Sequence, residues 1–161
     1  MIVLIIILVV YGVVFTTLSH KKHNLVSIKP DMIKDFLSKQ DFQNNIELVC
    51  LKDYKCIVYI DNNISNISFQ SLFKNDIEVY QFKKNRFEEI DFKDMEINDK
   101  NYEVTLRLKI YKPHNNKELV IKYKNDKLLY IHPYFTIIKT FSSISDIEEY
   151  IMDNQRLVDA L

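Results

Sequence analysis

The sequence predicts an α+β protein: an N-terminal transmembrane helix followed by an antiparallel β-sheet domain with one or two packed helices. Three observations predict it. The first nineteen residues, Met1 to Ser19, hold no charged side chain. The segment from Tyr102 to Ile110 alternates apolar and polar residues with period two. From Ser145 onward, apolar residues recur at helical spacing behind a capping-box pattern. The predicted organisation is an anchor over 1–19, a juxtamembrane linker with a short helix over 20–44, and a sheet domain with a C-terminal helix over 45–161.

The opening run decides the first element. Thirteen of its first eighteen residues are Ile, Leu, Val or Phe. As a helix, nineteen residues reach about 28 Å, close to the ~30 Å hydrocarbon thickness of a bilayer. On insertion scales the thirteen apolar side chains contribute roughly −4 to −8 kcal/mol, with no charge to offset them. Nine of the thirteen are β-branched, a composition that favours strand or aggregation in water. In lipid, a helix is the single-segment solution that pairs its own backbone. A buried core strand is the alternative, and the length of the run weighs against it. A cleaved signal peptide needs a basic start and a small-residue cleavage site, and neither is present.

After the anchor the chain reads as mixed helix and strand. Pro30 suits the first turn of a helix over about 30–41, with Met32, Ile33, Phe36 and Leu37 on one face. Residues 46–51 and 56–61 flank a polar KDYK and predict a hairpin. Residues 63–69 read as a turn and then briefly extended. Residues 77–82 and 87–92 predict a second hairpin. Tyr102, Val104, Leu106, Leu108 and Ile110 fall on one face of a strand, opposite Glu103, Thr105, Arg107 and Lys109, as in a sheet with one wet face. With 118–124 and 127–132, joined at Asn125-Asp126 by a type I′ turn, this predicts a three-stranded antiparallel meander over 102–132. Residues 135–141 add a further strand. Ser145 to Glu148 is a capping box that starts the last helix.

Composition narrows the function. Lys+Arg and Asp+Glu are 22 each, so there is no electrostatic footprint for nucleic acid. The single glycine, Gly12, excludes phosphate loops, dinucleotide fingerprints and nucleophile elbows from the domain. It also forces the domain's tight turns onto Asn and Asp at positive φ. Cys50 and Cys56 are the two cysteines. Symmetry about Asp53 places them opposite each other, within disulfide reach in an oxidising compartment. In a reducing one they are two buried thiols. His20, His23, His114 and His132 have no identifiable metal or catalytic partners. The pairs Glu88-Glu89 and Glu148-Glu149 point apart and read as solvated faces. Most of the twenty Tyr and Phe side chains read as sheet packing, a minority as an exposed patch. No cofactor, metal site or enzymatic activity is predicted.

The opening segment Met1, Ile2, Val3, Leu4, Ile5, Ile6, Ile7, Leu8, Val9, Val10, Tyr11, Gly12, Val13 and Val14 resembles the N-terminal helix of type IV pilins and type II secretion pseudopilins, and Phe15 continues the implied anchor and assembly helix. Met1, Ile2 and Val3 match the part just after that family's glutamate. The family's basic leader, cleavage-site glycine and glutamate are not in this chain, and the resemblance implies a start upstream of Met1. It implies a structural minor pilin or pseudopilin of a secretion, pilus or DNA-uptake system, with no direct nucleic-acid contact. The partners it implies are membrane lipid, other pilin-like subunits and an inner-membrane assembly platform. The implied location is the bacterial inner membrane, single-pass, with the globular domain in the periplasm. The alternative is a membrane-anchored envelope binding or accessory protein that does not polymerise.

Overall fold

The computed structural model describes residues 24–73, 76–83, 86–123 and 126–159, the last five without their side chains. The strands are β1 (Asn24–Leu25), β2 (Asn45–Leu51), β3 (Lys55–Ile60), β4 (Asn63–Gln70), β5 (Glu78–Lys83), β6 (Arg86–Glu89), β7 (Met95–Ile97), β8 (Lys100–Tyr102), β9 (Val104–Tyr111), β10 (Asn115–Asn116), β11 (Leu119–Tyr123), β12 (Lys127–Ile131) and β13 (Lys139–Phe141). A 3-10 turn at Pro30–Met32 leads into α1 (Ile33–Ser38), and α2 is Ile144–Asp159.

Two sheets stack as a sandwich. The first has the order β1-β4-β3-β2-β9-β10 and the second β13-β12-β11-β5-β6. Pairing is antiparallel except that β1 runs parallel to β4. The core lies between the sheets. Ile46, Leu48, Leu106, Leu108 and Ile110 of the first meet Ile121, Leu129 and Ile131 of the second, all fully buried. The sheets are also covered from outside. Ile147 and Ile151 of α2 pack on Val120, Leu128 and Tyr130 of the second sheet. The β7–β8 hairpin lays Met95, Ile97 and Tyr102 over Val49, Leu51, Ile57 and Val104 of the first. Coverage on both faces explains the near-continuous apolar runs of β2 and β12. The segment before β2 joins the same core through Ile33, Leu37 and Phe42. Met32, placed on that apolar helical face by spacing alone, is 53% exposed.

The structure corrects the sequence-based fold class. The described residues form a mostly antiparallel β-sandwich with one short helical segment and one C-terminal helix, not a single sheet with packed helices. The anchor and assembly run from Met1 to Phe15 lies outside the described residues. Among the described residues no helix is long and apolar enough to cross a membrane. The inner-membrane, single-pass location with a periplasmic domain is corrected with it. The physical reason is that an apolar run records burial and not conformation, so composition alone does not assign it a helix. The three-stranded meander is corrected as well. β9 pairs with β2 in the first sheet, whereas β11 and β12 pair in the second. The expected strand over 135–141 is confined to Lys139–Phe141. The capping box lies earlier than Ser145: Asp146 N donates to Ser143 Oγ and Ser143 N to Asp146 Oδ2, both at 3.1 Å.

The turns carry the cost of a glycine-free domain. Asp61 (φ 49°) and Asn62 (φ 67°) link β3 to β4, and Asn98 (φ 52°) and Asp99 (φ 60°) link β7 to β8. Both central residues of each loop sit in the left-handed region, as type I′ hairpins require. Asp61 has a second task. Its carboxylate accepts the backbone N–H groups of Gln43, Asn44 and Asn45, and these hold it below the usual carboxylate range. Residues 43–45 are thereby fixed where the chain enters β2. The Lys112-Pro113 peptide bond is cis.

Cys50 lies opposite Cys56 in the β2–β3 register, and the two form a disulfide with Cα atoms 4.0 Å apart. Both are buried in the inter-sheet core.

Two outcomes test these local devices. Replacing Asp99 by Gly leaves thermal stability unchanged or raises it by up to about 1 kcal/mol, whereas Asp99→Val lowers it by more than about 1 kcal/mol, because a β-branched residue resists positive φ. Thermal unfolding of both variants reads the difference. The unfolded, unreduced protein gives no titratable thiol, and the Cys50→Ala/Cys56→Ala pair lowers unfolding free energy in urea by about 2 kcal/mol, the loop-closure value for so short a ring.

Candidate functional site

The site is built where β12 ends. Pro133 has no N–H to continue the ladder, and the chain leaves the sheet at His132 before returning in β13. The loop is pinned from three sides. Lys34 Nζ, from α1, donates to the carbonyls of His132 at 2.5 Å and Pro133 at 3.2 Å. Asn116 N donates to the Pro133 carbonyl at 3.1 Å. Ile138 is driven into the core. Within the loop, His132 Nδ1 accepts the N–H groups of Tyr134 (3.1 Å) and Phe135 (3.4 Å), and the His132 ring stacks on Phe135 with centroids 4.3 Å apart.

These constraints push apolar side chains into solvent. Tyr134 is 72% exposed, Phe135 59% and Ile137 74%. Beside them lies a groove of about 330 Å³, walled by Tyr130, His132, Phe135, Ile137, Lys139 and Tyr150. Tyr130 meets His132, Phe141 and Tyr150 edge-on. Its hydroxyl donates to Glu118, and burial together with that carboxylate raises it above the usual tyrosine range. Lys139 Nζ stands 4.0 Å from the Tyr150 ring centroid, a cation–π contact.

Two lysines flank the groove, Lys139 on its wall and Lys34 behind the loop. Lys34 is fully buried, and loss of water lowers its ammonium to about 8. Burial, then Lys34 and Lys139, lower His132 below its ordinary value. That direction agrees with geometry, since an Nδ1 accepting two N–H groups carries no proton. None of the residues walling the groove is acidic.

Chemically the groove offers ring faces, aliphatic surface and one cation, Lys139, on its wall. Lys34 has the lowered basicity of a reactive amine, but it is enclosed and both its contacts are carbonyls. Among the described residues no group of three His, Cys, Asp or Glu side chains is placed to hold a metal ion.

Of the residues weighed in the sequence, His132 lies here, its Nδ1 taken by two loop N–H groups, and the others do not. Cys50 and Cys56 lie in the core, His114 meets Phe42 edge-on, and Met1 to Phe15, His20 and His23 are outside the described residues. Lys34, Tyr134, Ile137, Lys139 and Tyr150 were not singled out. The available signal was Pro133-Tyr134-Phe135 followed by Thr136-Ile137-Ile138, an apolar cluster directly after a strand-ending proline. Compared with known protein families, characterised proteins and solved structures, the chain matches none.

The Lys34 ammonium gives a pH prediction with a definite sign. Below about pH 8 both folded and unfolded chains hold its proton, and the full cost of burying the charge is present. Between about 8 and 10.5 the folded chain has released a proton that the unfolded chain retains, so stability rises with pH across that window. Urea unfolding at pH 7 and pH 10 checks this. The wild-type protein gains stability relative to Lys34→Met over that interval, and the comparison cancels tyrosine titration common to both.

Proposed function

We propose that this protein is a non-catalytic recognition module that holds a segment of a partner protein in the groove beside the 132–138 loop. The observation that carries the reading is the exposure of Tyr134, Phe135 and Ile137 on a loop that is itself rigidly anchored. Water-exposed aromatic and aliphatic side chains grouped around a concavity are characteristic of interaction sites. Rigid anchoring favours binding over collapse, because little ordering entropy remains to be lost. Aromatic walls suit an apolar anchor side chain. Lys139 at the rim, with Lys34 behind the loop, suits a carboxylate next to that anchor. A partner segment with an aromatic or aliphatic residue flanked by Asp or Glu meets both conditions.

The assembly role implied by the pilin resemblance rests on residues 1–14, outside the described residues, and the sandwich adds no observation in its favour. The recognition reading is closer to the accessory binding alternative.

Site-specific photocrosslinking tests the proposal in cells that make the protein. A photoreactive side chain at Ile137 gives a discrete adduct that the same side chain at Asp99, in the β7–β8 turn, does not. Adding Phe135→Ser to the Ile137 probe weakens that adduct, since truncating a central aromatic anchor costs about 2 kcal/mol of binding, roughly thirtyfold. Equal labelling at both positions, or no adduct at Ile137, overturns the reading.

A further inference from the structure

A second concavity, of about 220 Å³, lies against β9 and is separate from the groove. The period-two register of β9 sends Arg107 and Lys109 to the same face, and Lys117, just before β11, adds a third cation to the lining. A single carboxylate, Glu47 of β2, answers them. It is held loosely, 3.6 Å from Arg107 Nη1 and 3.9 Å from Lys109 Nζ. Other ion pairs of the described residues close to between 2.6 and 3.4 Å. Neighbouring acids are engaged elsewhere: Glu118 with the Tyr130 hydroxyl, and Glu88 with Arg86.

Arg107 is short of acceptors. Its Nε is buried and has no hydrogen-bond partner among the described residues. A guanidinium presents five donors in a planar fork that matches a carboxylate, and a buried donor left unpaired is unfavourable. Three cations facing one loosely held carboxylate give this cleft an excess of positive charge that suits an anionic ligand. The remaining walls say what that anion is attached to. Ile90, Phe92 and Leu119 give an apolar side, and Tyr111 adds a half-exposed ring beneath Lys109 at 5.5 Å. A bare inorganic anion would leave that apolar surface wet.

We propose that this cleft binds an organic carboxylate carried on an apolar or aromatic body, its carboxylate pairing with Arg107 and Lys117 and its body lying on Ile90 and Phe92. Free small acids and the C-terminal residue of a protein chain share this chemistry.

The test uses 3-phenylpropionate, 3-phenylpropanol and inorganic phosphate as probes of the intact protein, read by NMR titration with the Arg107 side-chain resonance as reporter. The expected result is a saturable shift with 3-phenylpropionate, at least tenfold weaker binding of the alcohol and of phosphate, and a further loss with added salt. Arg107→Met abolishes the shift at the neighbouring β9 amides. Lys117→Gln, an exposed change that leaves the core untouched, weakens binding at least threefold and guards against misfolding of the first variant. A peptide ending in free phenylalanine, set against its C-terminal amide, tells the two sources apart: binding of the acid but not the amide supports a chain terminus, and binding of 3-phenylpropionate alone supports a small acid. Equal binding of acid and alcohol, equal binding of phosphate, or unchanged affinity in Lys117→Gln overturns the proposal.

Discussion

The fold depends on one apolar layer shared by two sheets. Leu48, Leu106 and Leu108 on one side and Ile121, Leu129 and Ile131 on the other are fully withdrawn from water, and neither sheet can bury its inner face without the other. A fully buried aliphatic side chain contributes roughly 1.5–3 kcal/mol relative to exposure. That layer also sets what the outer layers must do. Because β2 and β12 carry apolar residues on both faces, each sheet needs a second cover, supplied by the β7–β8 hairpin and by α2. The molecule is therefore layered from a hairpin, through two sheets, to a helix.

Lys34 connects this core to the surface. It neighbours Ile33, which is fully buried, and no carboxylate among the described residues pairs with it. Burying a lone ammonium is costly by several kcal/mol. Two carbonyl acceptors offset part of that, since hydrogen bonds to charged groups contribute about 1.5–3 kcal/mol each. The carbonyls belong to His132 and Pro133, so the same contact that accommodates the charge fixes the base of the exposed loop. The aromatic groove is thus held by the interior of the protein and not by its own side chains alone.

Much of the local structure was legible in the sequence. The KDYK turn and its flanking apolar runs define β2 and β3, and their symmetry about Asp53 puts Cys50 against Cys56. The stripe running through Ile147 and Ile151 defines α2. What failed was long-range. The alternation of β9 is the same whether its neighbour is β2 or β11, so period alone could not divide the strands between two sheets. Lys34 reads as the polar side of a short helix, and its burial is decided by a loop 98 positions later in the chain. Phe135 to Ile138 reads as part of a strand because apolar content marks burial far more often than exposure. The groove arises from the break at Pro133 and from ties to Asn116 and Lys34, none of which has a local signature.

The bridge between Cys50 and Cys56 spans only six positions along the chain and one tight hairpin. Its two thiols meet as soon as that hairpin closes, a microsecond event in an isolated segment. Oxidation therefore need not wait for the distant strand β9 or for the second sheet. Where a disulfide oxidant takes up the two electrons, the β2–β3 unit can be closed before β9 and the second sheet join it, giving later strands a preformed edge on which to assemble.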